Sequence, residues 1–291
     1  MARTAVVTAG TGGIGLETAL GLARAGYAVT VVGRNAERGA RAVEKINAAG
    51  EEPARFLQAD LASLDDVRAL ADQIDEVTVL VNNVGAMFAD RTDIGGVEAT
   101  FVVNHLSPYL LTELLLPKLT AAAPSRVVNV TSGAVTLAKK VFDEVEPPGG
   151  YYGFHWYGRA KLANLAYTLD LATRLEGTGV AVFAADPGGA ATDMTNGNGR
   201  SPKIVSPGLR LLWPLVRRMF DKATSGPASV AARSSILAAT DETGQTGLLI
   251  GRHARPATPN RAATDPRVAE AVRRLSERHA PPTRVPDGLS N

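Results

Sequence analysis

The chain has 291 residues, of which 45% are hydrophobic, and its 31 basic and 29 acidic side chains give a formal net charge of +2. This length can bury the core of one large α/β domain or of two small ones, and the balanced charge gives no reason to expect binding to nucleic acid. Because there is no cysteine, disulfides, thiolate metal sites and a cysteine nucleophile are excluded.

Short apolar runs alternate with longer helix-like stretches along most of the chain. Seven brief valine-rich runs predict strands at Ala5–Thr8, Ala28–Val32, Ala54–Gln58, Val77–Asn82, Arg126–Thr131, Val180–Ala185 and Gly247–Ile250. Helical periodicity predicts helices at Ile14–Ala25, Ala36–Ala49, Leu64–Ile74, Val97–Leu119 and Tyr157–Leu175. The alternation predicts a single-domain Rossmann-type α/β fold with a doubly wound, seven-stranded parallel sheet.

Residues 193–226 break this alternation and are predicted to form a substrate lid inserted over the edge of the sheet. The apolar and basic stretch Ser206–Phe220 leaves three interpretations open. It could cover a lipophilic substrate, it could be a helix packed on the body, or it could be an interfacial membrane helix, which Pro214 and the short length disfavour. The run Asn196–Gly199 suits a hinge or an ordinary surface loop.

The catalytic domain is predicted to span residues 1–280, and the proline-rich residues 281–291 are predicted to form a flexible tail. The N-terminus lacks the basic region, apolar stretch and cleavage site of a secretory signal. No apolar segment approaches the roughly 20 residues that a membrane-spanning helix needs. We therefore expect a cytoplasmic protein without a membrane span.

A glycine-rich turn, Thr8-Ala9-Gly10-Thr11-Gly12-Gly13-Ile14-Gly15, joins the first strand to the first helix. Free N–H groups and the helix dipole attract a pyrophosphate at such a turn, and glycine allows the backbone to approach it closely. Many glycine turns bind nothing, but the strand before and the helix after favour a dinucleotide site. The predicted contacts in this turn are Thr8, Gly10, Gly13, Ile14 and Gly15.

The second strand ends in Val31-Val32-Gly33-Arg34-Asn35, without the acidic residue that binds the ribose hydroxyls of NAD. Arg34 offers a guanidinium that can pair with a 2′-phosphate, which predicts NADP(H) as the cofactor. A solvated arginine at the start of a helix is the plainer interpretation, and Arg38 or Arg41 could take the same role.

These features, with further motifs in order, resemble the short-chain dehydrogenase/reductase family from about Thr4 to Arg252. The family's TGxxxGxG motif is matched by Thr8, Gly13 and Gly15, while Ala9 replaces its first glycine and Gly10 follows as a residue that could take up the turn. The later matches are Asp60-Leu61, Asn82-Asn83-Val84-Gly85, Asn104, Ser132, Tyr157-Gly-Arg-Ala-Lys161, Pro187-Gly188 and Thr192. The YxxxK pattern alone is weak, but the ordered set is specific, and the retinol-dehydrogenase-like and bacterial ketoreductase branch is most similar.

The resemblance implies that Asn104, Ser132, Tyr157 and Lys161 are catalytic. Tyr157 and Lys161 share a helix face, and the Lys161 ammonium with the oxidised cofactor would stabilise a phenolate that exchanges a proton with the substrate. Ser132 would orient the substrate oxygen, and Asn104 would hold a water leading to Lys161. The implied NADP(H) contacts beyond the glycine turn and Arg34 are Asp60, Leu61, Asn83, Val84, Gly85, Tyr157, Lys161, Pro187, Gly188 and Thr192.

Plainer interpretations exist for each catalytic residue taken singly, namely packing for Tyr157, a helix kink for Asn104 and a strand cap for Ser132. The aromatic run Tyr151, Tyr152, Phe154, His155 and Trp156 could line a pocket or belong to the core. The four histidines, His105, His155, His253 and His279, are scattered, so no metal site is expected.

The expected reaction is NADP(H)-dependent interconversion of a carbonyl and an alcohol on a fairly large apolar substrate. The resemblance also implies a homodimer or homotetramer. The alternatives are a non-redox enzyme of this fold, such as a cyclase or epimerase, and a non-enzymatic NADP-binding sensor.

Overall fold

All seven predicted strands are present in the computed structural model, which describes residues 3–138, 142–144, 146, 149–190 and 201–283. The strands are β1 (Arg3–Thr8), β2 (Tyr27–Gly33), β3 (Arg55–Gln58), β4 (Val79–Asn82), β5 (Asp93–Ile94), β6 (Val97–Glu98), β7 (Ser125–Val130), β8 (Val180–Ala185), β9 (Leu248–Gly251) and β10 (Arg255–Ala257). The helices are α1 (Gly13–Arg24), α2 (Ala36–Asn47), α3 (Leu64–Asp72), α4 (Ala99–Phe101), α5 (Ser107–Ala121), α6 (Gly153–Arg174), α7 (Pro207–Arg210), α8 (Trp213–Ala223), α9 (Ala228–Ala231), α10 (Arg233–Thr240) and α11 (Pro266–His279).

The main sheet has eight strands in the order β10-β9-β8-β7-β4-β1-β2-β3. Seven of them are parallel, as predicted, and the short strand β10 adds an antiparallel edge that the sequence did not indicate. All three residues of strand β10 are exposed, so the sequence has no apolar pattern that would predict this strand. The sheet therefore has the predicted doubly wound core with one additional edge strand.

Successive residues of the central strands pack on opposite faces of the sheet. Val6 and Leu80 belong to one apolar cluster with α3, α5, α6 and α11, whereas Val7 and Val81 belong to another with α1, α2 and α10. Both members of each pair are buried because helices cover both faces. This burial explains the continuous apolar runs in the sequence.

The predicted helix Val97–Leu119 is wrong at its start and is not continuous. Val97 and Glu98 form β6, which pairs with β5 across Gly95 and Gly96, both at positive φ. The Glu98 carboxylate accepts the N–H groups of Thr100 and Phe101 and so begins the helix after the strand. A π-helical turn, Val102–Leu106, then separates α4 from α5.

Buried polar side chains join α5 and α6 to the central strands. Asn82 donates to Thr112 Oγ1 and to Asn129 Oδ1, in both cases over 2.8 Å. Asn129 in turn donates to Thr168 Oγ1 over 3.0 Å. Because buried polar groups are costly when unpaired, this chain of bonds favours one placement of the two helices against the sheet.

The segment 201–226 lies beside the carboxyl ends of the strands, where Ile204 and Val205 pack with Tyr157. Pro214 is the second residue of α8 and does not interrupt it, because the first turn of a helix needs no N–H from a proline. The predicted hinge Asn196–Gly199 lies outside the described residues, and the substrate-covering role of the segment stays a prediction.

The end of the described chain is held by one hydrogen bond, from Arg68 Nη2 to the Pro281 carbonyl over 2.7 Å. Residues 284–291 lie outside the described residues, so the predicted tail and the domain bounds stay predictions. Among the described helices, none is long and apolar enough to cross a membrane.

Candidate active site

The glycine-rich turn passes close to the end of β4. A methyl group on Gly15 would lie 2.3 Å from the Ala9 carbonyl oxygen and 2.5 Å from Asn83 Nδ2, so only glycine fits there. Thr8 Oγ1 accepts the N–H groups of Asn83 and Val84 over 2.9 and 3.2 Å. The turn and the residues after β4 therefore form one hydrogen-bonded unit.

Ala9 itself adopts the left-handed backbone conformation of the turn, with φ at +50°. The neighbouring Gly10 does not have positive φ, so the suggestion that it would adopt the conformation in place of Ala9 is wrong. A methyl group on Gly10 would lie 2.7 Å from the Val31 side chain, which explains its glycine by close packing. Alanine at positive φ is strained, because its Cβ approaches the following carbonyl oxygen.

The substitution Ala9→Gly should increase the free energy of unfolding by about 1 kcal/mol, because it removes this strain. The matched control is Ala48→Gly, since Ala48 is exposed and has φ at −74°. The control should lower the free energy of unfolding by about 0.5–1 kcal/mol. Urea unfolding of the three proteins measures both changes, and equal destabilisation by the two substitutions would contradict a strained Ala9.

The N-terminus of α1 has the features of an anion site. Gly12 precedes the helix with no side-chain cap, and a Cβ placed on Gly12 would have no atom within 4 Å. The first N–H groups of an α-helix have no partner within the helix and carry its positive dipole end. Gly13, at φ +53°, Ile14 and Gly15 thus present a cradle that fits a dinucleotide pyrophosphate.

Arg34 is exposed at the end of β2, and its guanidinium makes no ion pair or hydrogen bond to the described residues. Its carbonyl is fixed by Gln58 Nε2, which donates to it over 3.0 Å. Arg41 lies 3.9 Å from Glu37 on α2. Of Arg34 and Arg41, Arg34 is the one next to Gly33, and a methyl group on Gly33 would lie 2.9 Å from the Thr11 side chain of the glycine turn.

The acidic and amide residues after β3 and β4 line the same edge. Asp60 Oδ1 accepts the Ala62 N–H over 3.0 Å, and Leu61 is buried. Asn83 Nδ2 donates to the Thr8 carbonyl over 3.2 Å. Gly85 is exposed, and a methyl group on it would lie 3.7 Å from Lys161 Nζ. The backbone can therefore be approached closely at Gly85, next to the Lys161 ammonium.

Ser132, Tyr157 and Lys161 come together at the carboxyl ends of β7 and β4. The Ser132 hydroxyl lies close enough to the Tyr157 hydroxyl to lower its pKa, and Ser132 Oγ accepts the Ala134 N–H over 3.2 Å. Lys161 Nζ lies 6.0 Å from the centre of the Tyr157 ring. It donates to the carbonyls of Val84 and Val130 over 3.2 and 2.9 Å.

Burial shifts the pKa values of both titrating groups toward their neutral forms. Desolvation raises the pKa of Tyr157 to about 12, while the neighbouring Ser132 hydroxyl lowers it and the Asp186 carboxylate adds a smaller increase. Desolvation lowers the pKa of Lys161 to about 7. Tyr157 is therefore a protonated phenol at neutral pH, which is the form that can donate a proton to a carbonyl oxygen.

Asn104 lies in the π-helical turn and is fully buried. Its Nδ2 donates to the carbonyls of Ala86 and Thr100 over 2.7 and 2.8 Å, and its Oδ1 accepts the Ala86 N–H over 3.2 Å. The residue four positions later is Pro108, which has no N–H, so the Asn104 carbonyl lacks its usual α-helical donor. The Asn104 carbonyl therefore has no α-helical partner at this position.

Sequence reasoning missed the apolar residues that surround Tyr157, because they belong to no motif. Met87, Ile204 and Val205 are buried against the Tyr157 ring. Phe154 packs against the same cluster and stacks edge-on with Phe220 of α8 at 5.9 Å between ring centres. The wall beside the reactive hydroxyl is therefore apolar.

The residues after β8 and β9 add charge at this edge. Gly188 has φ at +68°, and its N–H donates to Asp186 Oδ1 over 2.9 Å. The Arg252 side chain lies against both Gly188 and Gly133. Pro187 and Gly188 are thus near the site, whereas Thr192 lies outside the described residues. Neither Asp186 nor Arg252 was singled out by the motifs.

Most of the remaining candidates have structural roles. Tyr151 Oη bonds with Glu98, Thr100 and the Phe88 carbonyl, and Trp156 is buried. His105 is buried against Ser276, with 2.7 Å between His105 Nε2 and Ser276 Oγ, and burial lowers its pKa to about 3. No group of three or more potential metal ligands occurs among the described residues.

A groove of about 1090 Å³ lies at the opposite, amino-terminal edge of the sheet, between Arg3, Lys118 and Arg126. It contains none of the residues of the glycine turn and none of the Ser132, Tyr157 and Lys161 set. Ligands of doubly wound sheets bind at the carboxyl ends of the strands, where Ser132, Tyr157 and Lys161 lie, so the chemistry disfavours this groove as the active site.

The sequence model described as short chain dehydrogenase matches residues 3–202. Retinol dehydrogenase 12 of Mus musculus is 36% identical over 232 residues, which cover 77% of this chain and 70% of that protein. Retinol dehydrogenase 13 of Homo sapiens is 36% identical over 254 residues, covering 82% and 73% of the two chains. Dehydrogenase/reductase SDR family member 13 of Bos taurus is 42% identical over 193 residues, which span 64% of this chain but only about half of that protein, 51%.

Solved structures show the same architecture. An uncharacterized protein from Mycobacterium paratuberculosis superposes with a TM-score of 0.73 at 29% identity, covering 95% of this chain and 92% of that one. The NADP active-site complex of Pseudomonas aeruginosa RhlG superposes with a TM-score of 0.66 at 27% identity, covering 86% and 94% of the two chains.

Proposed function

The chain belongs to the short-chain dehydrogenase family, in its retinol-dehydrogenase-like branch, and we propose that it interconverts a carbonyl and an alcohol on a fairly large apolar substrate with NADP(H). The family and fold predicted from the ordered motifs are confirmed. The observation that carries the proposed reaction is the buried Tyr157 beside the Ser132 hydroxyl, with Lys161 Nζ 6.0 Å from the centre of the Tyr157 ring.

The cofactor, when bound, would supply the hydride for reduction or accept it in oxidation. Tyr157 would donate its phenolic proton to the substrate oxygen as a carbonyl is reduced, or accept that proton as an alcohol is oxidised. Ser132 would bond the same oxygen and hold it against the Tyr157 hydroxyl. Water would be displaced from this point by Met87, Ile204 and Val205.

Lys161 can donate hydrogen bonds to the protein backbone and to the cofactor at the same time. An ammonium has three N–H donors, and two of them are used by the carbonyls of Val84 and Val130. The third is available for a ribose hydroxyl, close to the exposed backbone of Gly85. A water on the Asn104 carbonyl, which has no α-helical donor because residue 108 is a proline, would connect Lys161 with solvent and return protons to Tyr157, which is the role proposed for Asn104.

NADP(H) as the preferred cofactor is supported by Arg34. Its guanidinium has no partner among the described residues, and Arg34 directly follows β2, the next strand after the glycine turn. RhlG, which has a similar fold, was solved with NADP. The remaining contacts proposed for the dinucleotide are Thr8, Gly10, Gly13, Ile14, Gly15, Asp60, Leu61, Asn83, Val84, Gly85, Pro187, Gly188 and Thr192.

The substitution Arg34→Ala should weaken NADPH binding by roughly 10- to 100-fold, because charge-assisted hydrogen bonds to a phosphate contribute about 1.5–3 kcal/mol. NADH binding should not change, since NADH lacks the 2′-phosphate. Fluorescence titration with both nucleotides measures the two affinities. Arg41→Ala is the matched control, and a selective loss of NADPH affinity in that variant instead would move the phosphate contact to Arg41.

An apolar substrate is supported by the lining of Met87, Phe154, Ile204 and Val205, and by relatives whose name is retinol dehydrogenase. The direct test is oxidation of NADPH and NADH with a panel of lipophilic ketones, aldehydes and quinones. Turnover with NADPH supports the proposal. Binding of NADPH without any turnover would instead favour a non-redox enzyme of this fold or an NADP-binding sensor.

The expected homodimer or homotetramer and the cytoplasmic location stay proposals. Gel filtration with light scattering tests the first. An assembly through α5 and α6 is restricted by α11. This helix already packs on α6, and its Ser276 forms a hydrogen bond with His105. Such an assembly would use the faces of these helices that α11 leaves uncovered.

A further inference from the structure

Large apolar side chains are exposed in a continuous stripe on the segment 207–223. Leu211, Leu212, Leu215 and Met219 have exposed fractions of 86%, 56%, 57% and 65%. Leu212, Leu215 and Met219 are three and four residues apart, which places them along one side of α8, and Leu211 lies in the turn before it. We call these four residues the apolar stripe.

The stripe is separate from the face by which α8 packs on the protein. Trp213 and Val216 pack against the cluster that contains Tyr157, and Phe220 stacks on Phe154. With this inward face occupied, α8 cannot also bury the apolar stripe by turning about its axis. None of the described residues covers the stripe, which is unusual for four large apolar side chains so near one another in the chain.

Basic residues border the stripe. At 100° per residue, Arg218 and Lys222 lie on the edge opposite to the inward residues. Neither side chain has an ion pair with a described residue. Residues 207–223 contain four basic side chains and a single acidic one, Asp221, which is 3.6 Å from Arg217.

We propose that the apolar stripe docks on a lipid bilayer whose surface carries anionic headgroups. The four apolar side chains would enter the boundary between headgroups and acyl chains, while Arg218 and Lys222 would contact the headgroup phosphates. A second copy of this chain is a poorer occupant. A twofold contact through the stripe would place the basic edges of both copies together without counter-charges.

The apolar stripe lies on the helix that also packs beside the active site. The helix that carries it also carries Trp213 and Val216, which pack beside Tyr157. A docked molecule would hold the apolar wall of the active site next to the bilayer. This consequence rests on the proposed function, whereas the docking itself does not depend on it.

Co-sedimentation of the full chain with vesicles tests the proposal. The vesicles are phosphatidylcholine alone and phosphatidylcholine mixed with an equal amount of phosphatidylglycerol. We expect binding to the mixed vesicles to exceed binding to the neutral ones by about tenfold or more and to weaken as salt is raised. Equal binding to both kinds of vesicle, or binding to neither, would overturn the proposal.

Two sets of variants locate the contact. The triple change Leu211→Ser, Leu215→Ser and Met219→Ser should weaken binding on the order of a hundredfold, because it removes three large apolar side chains. Arg218→Glu with Lys222→Glu should weaken it by about tenfold or more. All five side chains are exposed, so the fold should survive, and unchanged melting temperatures check this.

Leu237→Ser is the matched control, since Leu237 is also exposed, at 39%, but belongs to α10. It should bind vesicles like the original chain. Undiminished binding by the triple variant would overturn the proposal. So would a dimer in solution that the triple variant dissociates, because the stripe would then be an interface between copies of this chain. Turnover measured without vesicles reports on the proposed function separately.

Discussion

Replacing Tyr157 with phenylalanine should lower the turnover number for carbonyl reduction by about 10²–10⁴-fold, the usual contribution of a positioned acid or base. The change removes the hydroxyl beside Ser132 but keeps the ring that packs against Met87, Ile204 and Val205. Cofactor affinity should therefore stay close to that of the original chain. Steady-state kinetics with NADPH and the best ketone of the panel, together with nucleotide titration, measure both quantities.

The matched control for this change is Tyr109→Phe. Tyr109 is also buried, but it stacks on Tyr167 at 5.2 Å between ring centres, within the helical layer formed by α5 and α6. The turnover number of the Tyr109→Phe variant should equal that of the original chain. If Tyr157→Phe kept turnover comparable to this control, Tyr157 would not be the proton donor, and the assignment of the site would fail.

Replacing Lys161 with methionine should change the pH dependence of stability. In the folded protein without cofactor, burial lowers the pKa of Lys161 from 10.5 to about 7. Below about pH 7 both the folded and unfolded chains carry the proton, so the cost of burying the ammonium is fully present. Between pH 7 and 10.5 only the unfolded chain keeps the proton, so this cost decreases as pH rises, by about 1.4 kcal/mol per pH unit.

The measurable quantity is the free energy of unfolding of the original chain minus that of Lys161→Met. It should increase by about 2–3 kcal/mol between pH 7.5 and 9.5. The carbonyls of Val84 and Val130 lose a donor in the variant, but this loss does not depend on pH. Urea unfolding at several pH values, without nucleotide, gives the difference.

Tyr157→Phe serves as the control for this measurement as well. Because the pKa of Tyr157 is about 12 in the folded protein, its proton stays bound in that state throughout this range. The free energy of unfolding of the original chain minus that of Tyr157→Phe should therefore change little with pH up to about pH 9.5, where an unfolded tyrosine begins to ionise. A flat difference for Lys161→Met too would mean that Lys161 remains charged in the folded protein at these pH values.

The central fold and the reactive set could be predicted because each depends on local patterns with strong physical causes. The first three residues of β4 are all apolar because helices cover both faces of the sheet. Asn83, Ser132 and Gly188 follow successive parallel strands, whose carboxyl ends meet at one edge. Residues far apart in the chain could therefore be assigned to one site before any distance was known.

Other features depend on neighbours that no local pattern specifies. Strand β10 is fully exposed, so its pairing with β9 has no apolar signature. Val97 and Glu98 fit a helical period, yet the Gly95–Gly96 turn pairs them as a strand. Met87, Ile204 and Val205 are ordinary apolar residues in the sequence and become the wall of the site only through packing on Tyr157.

The sequence by itself predicted the parallel strands, the glycine turn, the family and the gathering of Ser132, Tyr157 and Lys161 at one site, because the order and spacing of residues along the chain specify them. Only the tertiary structure decided that Ala9 takes positive φ, that burial raises the pKa of Tyr157 and lowers that of Lys161, and which side of α8 remains exposed. Strain, desolvation and burial are properties of the packed surroundings, and distant parts of the chain supply those surroundings.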